Sequence, residues 1–139
     1  MMETSEIIKH LSNTGLFGGY TLVTTEKTNQ FEHFDATNWH YNVEIKSRDK
    51  KYDEWLIEKY KYEKNMEIAE DEKKMFVYVT EYDRVLYVWD LYAMKYLGKE
   101  IQWFSDRSMP NTTEFGDKGR RNKEVGYLPT NLCWFVIKV

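Results

Sequence analysis

The sequence contains few of the residues that form covalent cross-links, zinc sites or nucleotide-binding loops. Among its 139 residues there is one cysteine, Cys133, which cannot form an intrachain disulfide. A reducing cytoplasm is therefore the expected environment. With one cysteine and three histidines at unrelated spacings, no zinc cluster is predicted. The glycine-rich stretch GLFGG at 15–19 lacks the lysine and the Ser/Thr of a P-loop.

Long apolar runs and an excess of positive charge are also missing. No stretch approaches the roughly 20 apolar residues that a membrane helix needs, and the acidic start MMETSEIIKHL does not resemble a secretory signal. The formal net charge is −3, whereas a protein that coats nucleic acid would be basic. Affinity for phosphate would have to come from local basic patches or from bound cations. We expect a single domain over residues 1–139, with no membrane segment.

Apolar periodicity indicates that helices and strands are mixed along the chain. Helical spacing predicts a first helix that contains Ile7, Ile8 and Leu11, and a second from Lys59 to about Glu72. Residues 54–58 fit either a strand or the start of a helix, and residues 92–106 fit a short helix followed by a strand. The predicted strands cover residues 20–25, 75–81, 85–91 and 132–139. This pattern predicts an α/β or α+β fold with a mixed central β-sheet flanked by helices.

The most informative stretch is residues 31–48, FEHFDATNWHYNVEIKSR. Apolar and polar residues alternate from Tyr41 onward, which predicts a strand with Glu44 and Lys46 on one face. A chain reversal near residues 38–40 would set Asp35 opposite Glu44, because the residue numbers of pairs across an antiparallel hairpin sum to a constant. Two carboxylates and one ammonium group would then meet at one edge of a sheet.

These three side chains suit the hydrolysis of a phosphodiester bond. Mg²⁺ prefers oxygen ligands and binds through one or two carboxylates together with water and phosphate. Asp35 and Glu44 are the predicted ligands, and the carbonyl of Ile45 is a plausible third. Lys46 would hold the attacking water or contact the phosphate. An E-x-K pattern on a strand also occurs at ordinary solvated sheet edges.

Asp35, then VEIK at 43–46, then a helix carrying Lys61, resembles the PD-(D/E)XK nuclease superfamily, which has the restriction-endonuclease-like fold. The order FDAT, VEIKSR, WLIEKYKYE, YVWDL, PNTTEF and EVGYLP is similar to small phage-encoded members. Phe34 stands where the motif has its proline.

The resemblance implies Mg²⁺-dependent hydrolysis of DNA, with Mn²⁺ as a possible substitute. Asp35 and Glu44 would be the metal ligands and Lys46 the catalytic lysine. Members of the superfamily often add an acidic residue from the first helix, here Glu6, as a further ligand. They also often use a basic residue on the helix that follows the E-x-K strand, here Lys61.

Two basic groups are candidates for contacts with the phosphates that flank the cut. The first group follows the E-x-K strand, and the second lies in a late loop rich in Gly, Asn and Thr. The members are Arg48, Lys50 and Lys51 in the first group, and Arg120, Arg121 and Lys123 in the second. Trp39, in a polar turn beside the predicted site, is the tryptophan best placed to stack on a base.

These features together favour a Mg²⁺-dependent deoxyribonuclease, encoded by a phage and acting in the bacterial cytoplasm. One alternative is a non-catalytic module on the same fold that binds nucleic acid or protein. Another is a homodimeric resolvase that cuts branched DNA such as a Holliday junction.

Overall fold

A computed structural model describes residues 1–19, 21–25, 34–106 and 123–139. These residues form three α-helices and nine β-strands. The helices are α1 (Thr4–Asn13), α2 (Lys59–Asp71) and α3 (Leu91–Tyr96). The strands are β1 (Val23–Thr24), β2 (Ala36–Thr37), β3 (Tyr41–Ser47), β4 (Glu54–Glu58), β5 (Met75–Tyr82), β6 (Val85–Asp90), β7 (Phe104–Asp106), β8 (Lys123–Pro129) and β9 (Phe135–Lys138).

The larger sheet has six strands in the order β1-β2-β3-β5-β6-β9. Its central pair, β3 and β5, is parallel over seven residue pairs from Tyr41↔Met75 to Ser47↔Glu81. The other neighbouring strands are antiparallel. A parallel pair needs a crossover connection, and here the chain crosses over through β4 and α2. The result is a mixed central sheet flanked by helices, which confirms the predicted α+β class.

The second sheet is small and antiparallel, with the order β4-β8-β7. Residues 54–58, which fitted either a strand or a helix start, form β4 and pair with β8 from Glu54↔Pro129 to Glu58↔Val125. Lys123 and Glu124 of the predicted basic loop belong to β8, whereas Arg120 and Arg121 lie outside the described residues.

Two apolar cores lie on opposite faces of the six-stranded sheet. On one face, Ile7 and Leu11 of α1 pack against Val43 and Val77 of the central strands. On the other face, α2, α3 and the small sheet cover Phe76, Tyr78 and Trp89, and they contribute the buried side chains Trp55, Met66, Leu91 and Leu128. The pleat of β3 therefore sends its odd-numbered residues into the first core and its even-numbered residues toward the second.

The sequence-based prediction of the edge strands was less accurate. A strand over residues 20–25 was predicted; residue 20 lies outside the described residues, and among residues 21–25 β1 covers only Val23 and Thr24. The amide of Leu22 donates to Ser12 Oγ at 3.1 Å instead of joining a ladder. Of residues 132–139, also predicted as a strand, β9 covers Phe135–Lys138, and it is an edge strand whose residues alternate between half-buried and exposed. Cys133 is half-buried, and burial raises the pKa of its thiol to about 12.

Gly126 of β8 allows a close approach between two parts of the chain. A Cβ atom at this position would overlap Cγ2 of Ile101 and lie 3.0 Å from Cε3 of Trp103. Trp103 in turn contacts Tyr62 of α2, with 5.3 Å between the ring centroids. The segment before β7 can therefore cross β8 only because residue 126 has no side chain.

The described α-helices have 10, 13 and 6 residues. None within the described ranges is both long enough and apolar enough to cross a membrane.

Asp90 ends β6 and caps α3, because its Oδ1 accepts the amide of Ala93 at 2.9 Å. Burial raises the pKa of this carboxyl group, against the lowering effect of the bonds from Ala93 and Tyr92. We expect Asp90→Ala to lower the free energy of unfolding by about 1 kcal/mol. Asp90→Asn should lower the free energy of unfolding much less, because the amide oxygen of asparagine can still accept the hydrogen bond from Ala93 and the cap does not need a buried charge. Urea denaturation of the three proteins measures this; equal losses in both variants would contradict a capping role.

Candidate active site

The even-numbered face of β3 presents Glu44, Lys46 and, just beyond the strand, Arg48 to one cleft. Lys46 Nζ lies 3.3 Å from Glu44 Oε1, so the two side chains project together as the alternation predicts. Val43 precedes Glu44 and Ile45 lies between Glu44 and Lys46. Both apolar side chains are buried in the first core. The apolar residues thus fix the face on which the charged residues emerge.

Asp35 immediately precedes β2. The observed pairs of the β2–β3 hairpin are Ala36↔Val43 and Thr37↔Asn42, and the predicted pairing of Asp35 with Glu44 is not among them. The amide of Asp35 donates to the Val43 carbonyl at 2.8 Å, and Asp35 Oδ2 accepts the amide of Ile45 at 2.8 Å. Because the N–H and C=O of a strand residue point to the same side, the Ile45 carbonyl also points toward the Asp35 side of β3.

The cleft lies between β3, β5, β4 and the first turns of α2, and we refer to it as the β3–α2 cleft. Its volume is about 170 Å³. Five charged side chains line its rim, namely Glu44, Lys46, Arg48, Glu58 and Lys61. Three of these are cationic and two are anionic, so the rim carries a net charge of +1 (3 − 2) although the whole chain has a net charge of −3.

Arg48 and Tyr78 contact each other within the cleft. Arg48 Nη2 lies 3.3 Å from the Leu56 carbonyl and 3.5 Å from the hydroxyl of Tyr78. Burial raises the pKa of Tyr78 to about 12, although the guanidinium of Arg48 acts in the opposite direction. The Tyr78 hydroxyl therefore stays protonated at neutral pH, and Arg48 is held with its charge facing the cleft.

Glu58, at the end of β4, connects two lysines at the opposite rim. Its Oε1 lies 3.1 Å from Lys123 Nζ and its Oε2 lies 3.4 Å from Lys61 Nζ. Burial alone would raise the pKa of Glu58, but the two ammonium groups outweigh it and the pKa is lowered. Lys61 is thus brought to the cleft together with the E-x-K residues, while Lys123 is tied to Glu58.

The remaining predicted residues lie elsewhere. Glu6 pairs with Arg84, at 3.4 Å between Oε2 and Nη1, beside the β5–β6 turn. It belongs to α1, which covers the face of the sheet opposite to Glu44, so the fold does not bring it to the cleft. Lys50 and Lys51 are exposed in the loop after β3. Trp39 is 77% exposed in the turn between β2 and β3.

The donor atoms near Asp35 suit a hard cation. Two carboxylates and one backbone carbonyl are all oxygen donors, and Mg²⁺ commonly binds through one or two carboxylates with water completing its shell. Within the described ranges, no group of three or more His, Cys, Asp or Glu side chains is close enough to hold a metal ion. Donors of this chemical type suit a Mg²⁺ ion bound largely by water, for which Asp35, Glu44 and the Ile45 carbonyl would be the predicted protein ligands.

Two cleft residues were missed by reasoning from sequence, Glu58 and Asn65. Glu58 ends the short stretch that fitted either a strand or a helix start, and Asn65 lies in the predicted second helix. A partial signal was available, because Lys61 and Asn65 are spaced i, i+4 on one face of α2 and Glu58 directly precedes that helix. What could not be read locally is that this face turns toward β3.

The lowered pKa of Glu58 makes a prediction about stability and pH. A carboxylate whose pKa is lowered below its ordinary value of 4.5 stabilises the fold above that pH, and the contribution is lost as the pH falls through the lowered pKa. We expect Glu58→Gln to lower the free energy of unfolding at neutral pH by about 1 kcal/mol. The difference from wild type should shrink to nothing in acid. Urea denaturation over a pH series measures it, with the exposed Glu67→Gln as control. A difference independent of pH would contradict the assignment.

Comparison with known proteins identifies no relative of this chain. No protein-family model, no curated protein and no solved structure matches the chain. Its function has to be inferred from its own residues and their geometry.

Proposed function

We propose that this protein is a Mg²⁺-dependent nuclease that hydrolyses phosphodiester bonds of DNA. The observation that carries the proposal is the pair Glu44 and Lys46, 3.3 Å apart on one face of β3 at the rim of the cleft. Asp35, the residue before the neighbouring strand β2, accepts a hydrogen bond from the amide of Ile45. The same arrangement, followed by a helix that carries Lys61 into the cleft, supports membership of the PD-(D/E)XK superfamily.

Asp35, Glu44 and the Ile45 carbonyl would hold the ion. A bound Mg²⁺ supplies a more acidic water and neutralises charge on the phosphate. The bond from the Ile45 amide to Asp35 Oδ2 fixes the orientation of the carboxylate. Lys46 lies on the same face as Glu44, and its ammonium group would contact the scissile phosphate or the attacking water.

The other cations of the cleft would bind the phosphates next to the cut. Arg48 is held in place by the Leu56 carbonyl and the Tyr78 hydroxyl, so its charge is oriented before substrate arrives. The Lys61 side chain is 56% exposed, and its pair with Glu58 is of the kind that is weak in water. It can therefore exchange Glu58 for a phosphate at little cost. Lys50 and Lys51 are free to reach DNA beyond the cleft.

The proposed setting is the reducing cytoplasm of a bacterial host, with a phage as the source of the gene. The single free cysteine supports a reducing environment. DNA is the proposed partner, and a homodimer is part of the proposal only if branched DNA is the substrate.

A non-catalytic binding module is the second candidate, and one observation favours it. The cleft charges are already matched with one another, Lys46 with Glu44 and Lys61 with Glu58. A site with such internal pairs could bind phosphate through its remaining cation, Arg48, without any chemistry.

Removal of the proposed site residues tests the nuclease. We expect Asp35→Ala, Glu44→Ala and Lys46→Ala each to abolish cleavage, a loss of about 10²-fold or more, because each removes a charge that the transition state needs. Purified protein would be assayed on single- and double-stranded DNA with Mg²⁺, Mn²⁺ or EDTA. Circular dichroism would verify that each variant is folded.

Matched controls come from exposed residues of α2 with the same charges, Asp71→Ala, Glu67→Ala and Lys64→Ala, which should leave cleavage unchanged. Full activity in any of the three site variants would overturn the assignment. Binding of DNA in EDTA with no cleavage in Mn²⁺ would identify the binding module. A dimer in solution that prefers four-way junctions would identify the resolvase.

A further inference from the structure

The inner wall of the β3–α2 cleft is apolar and largely aromatic. It is formed by Leu56 and Ile57 of β4, Tyr62 of α2, and Phe76 and Tyr78 of β5. The volume of about 170 Å³ is close to that of the cavity of about 150 Å³ in which a protein interior holds a benzene molecule. The cleft therefore has room for one flat ring beyond its charged rim.

One polar side chain interrupts this apolar wall. Asn65 of α2 is 3% exposed and lines the cleft. Its Oδ1 is buried and accepts no hydrogen bond from any residue that the structure describes. Its helix neighbours Met66 and Ala69 are buried in an ordinary apolar core, so a leucine would suit this position better. A buried amide oxygen without a partner destabilises a fold, and here it belongs to a side chain that lines a cleft.

A ligand that matches the aromatic wall, the Asn65 amide and the cations of the rim has a flat apolar body, a hydrogen-bonding edge and a phosphate. The aromatic wall suits the faces of the ring, the Asn65 amide suits an edge that both donates and accepts, and Lys46 and Arg48 suit the phosphate. A nucleotide unit combines these features. An aliphatic or purely aromatic ligand would leave the amide unpaired.

We propose that the cleft seats one unstacked nucleobase of the nucleic-acid strand, with Asn65 hydrogen-bonded to the edge of the base and the adjoining phosphate at Lys46 and Arg48. This inference rests on the proposed function, because it assumes that nucleic acid is the ligand. It also narrows the substrate class. A base can enter the cleft only after it leaves its stack, and that costs least in single strands, frayed ends or unpaired segments.

Mononucleotide binding to the full chain tests the base pocket without any cleavage. Each of dAMP, dCMP, dGMP and dTMP would be titrated calorimetrically in Mg²⁺, with 2-deoxyribose 5-phosphate as the ligand that lacks a base. We expect at least one mononucleotide to bind about tenfold more tightly than the sugar phosphate, and Asn65→Leu to remove most of that gain. Met66→Leu, the neighbouring change of similar volume outside the cleft, should retain it. Equal affinity for all five ligands, or an unaffected Asn65→Leu variant, overturns the proposal.

Thermal unfolding separates a binding role for Asn65 from a structural one. Asn65→Leu should have a Tm equal to or above that of wild type, because the lost amide oxygen has no partner in the described fold. A lower Tm, or failure of the variant to fold, would mean that the amide stabilises the protein and would count against the proposal.

Oligonucleotides with one abasic site at successive positions test the same pocket in the wild-type protein. Cleavage of a single strand should fall about tenfold when the missing base is at one fixed position relative to the cut bond. Cleavage that is indifferent to every abasic position would overturn the base pocket and leave the nuclease intact. Base-dependent binding of mononucleotides without any cleavage would overturn the nuclease and leave the base pocket intact.

Discussion

The parallel pairing of β3 with β5, together with the cover of α1, determines on which face of the sheet Glu44 and Lys46 lie. Seven consecutive residue pairs join the two strands, and both are covered on one face by α1. Because Val43 and Ile45 must enter that core, Glu44 and Lys46 must emerge on the other side. A shift of register by one residue would bury both charges and expose two apolar residues, so the hydrophobic effect that holds the sheet together also positions the candidate site.

The cleft combines two kinds of wall that have different energetic roles. Four of the five charged side chains of its rim form ion pairs, Lys46 with Glu44 and Lys61 with Glu58, and these pairs keep the partly buried carboxylates satisfied when no substrate is present. Its inner wall is apolar except for the amide of Asn65, which the described fold leaves without a partner at Oδ1. These ion pairs lie at the rim, where solvent and substrate can compete for them. The unsatisfied group lies where solvent has the least access, and there a ligand would gain most.

Sequence alone predicted those features that depend on neighbouring residues. The β5–β6 hairpin is bounded by a two-residue turn, Asp83 and Arg84, whose positive φ angles of 48° and 62° match the twist of the strands. The projection of Glu44 and Lys46 from one face of β3 followed from the alternation of apolar and polar residues. The partner of β4 could not be predicted, because β8 lies some 70 residues further along the chain. Glu6 pairs with Arg84 because α1 packs on the opposite face, and helical periodicity shows which side of a helix is buried but not which face of a sheet it covers.

The aromatic wall of the cleft depends on the small sheet through Gly126 of β8. Ile101 and Trp103 occupy the space that a Cβ atom would take, and Trp103 rests against Tyr62, which forms part of the aromatic wall. Any side chain at position 126 would push Trp103 outward and release Tyr62 from the contact that limits its rotation. The position of one aromatic wall residue of the cleft thus depends, through Trp103, on a glycine of the small sheet.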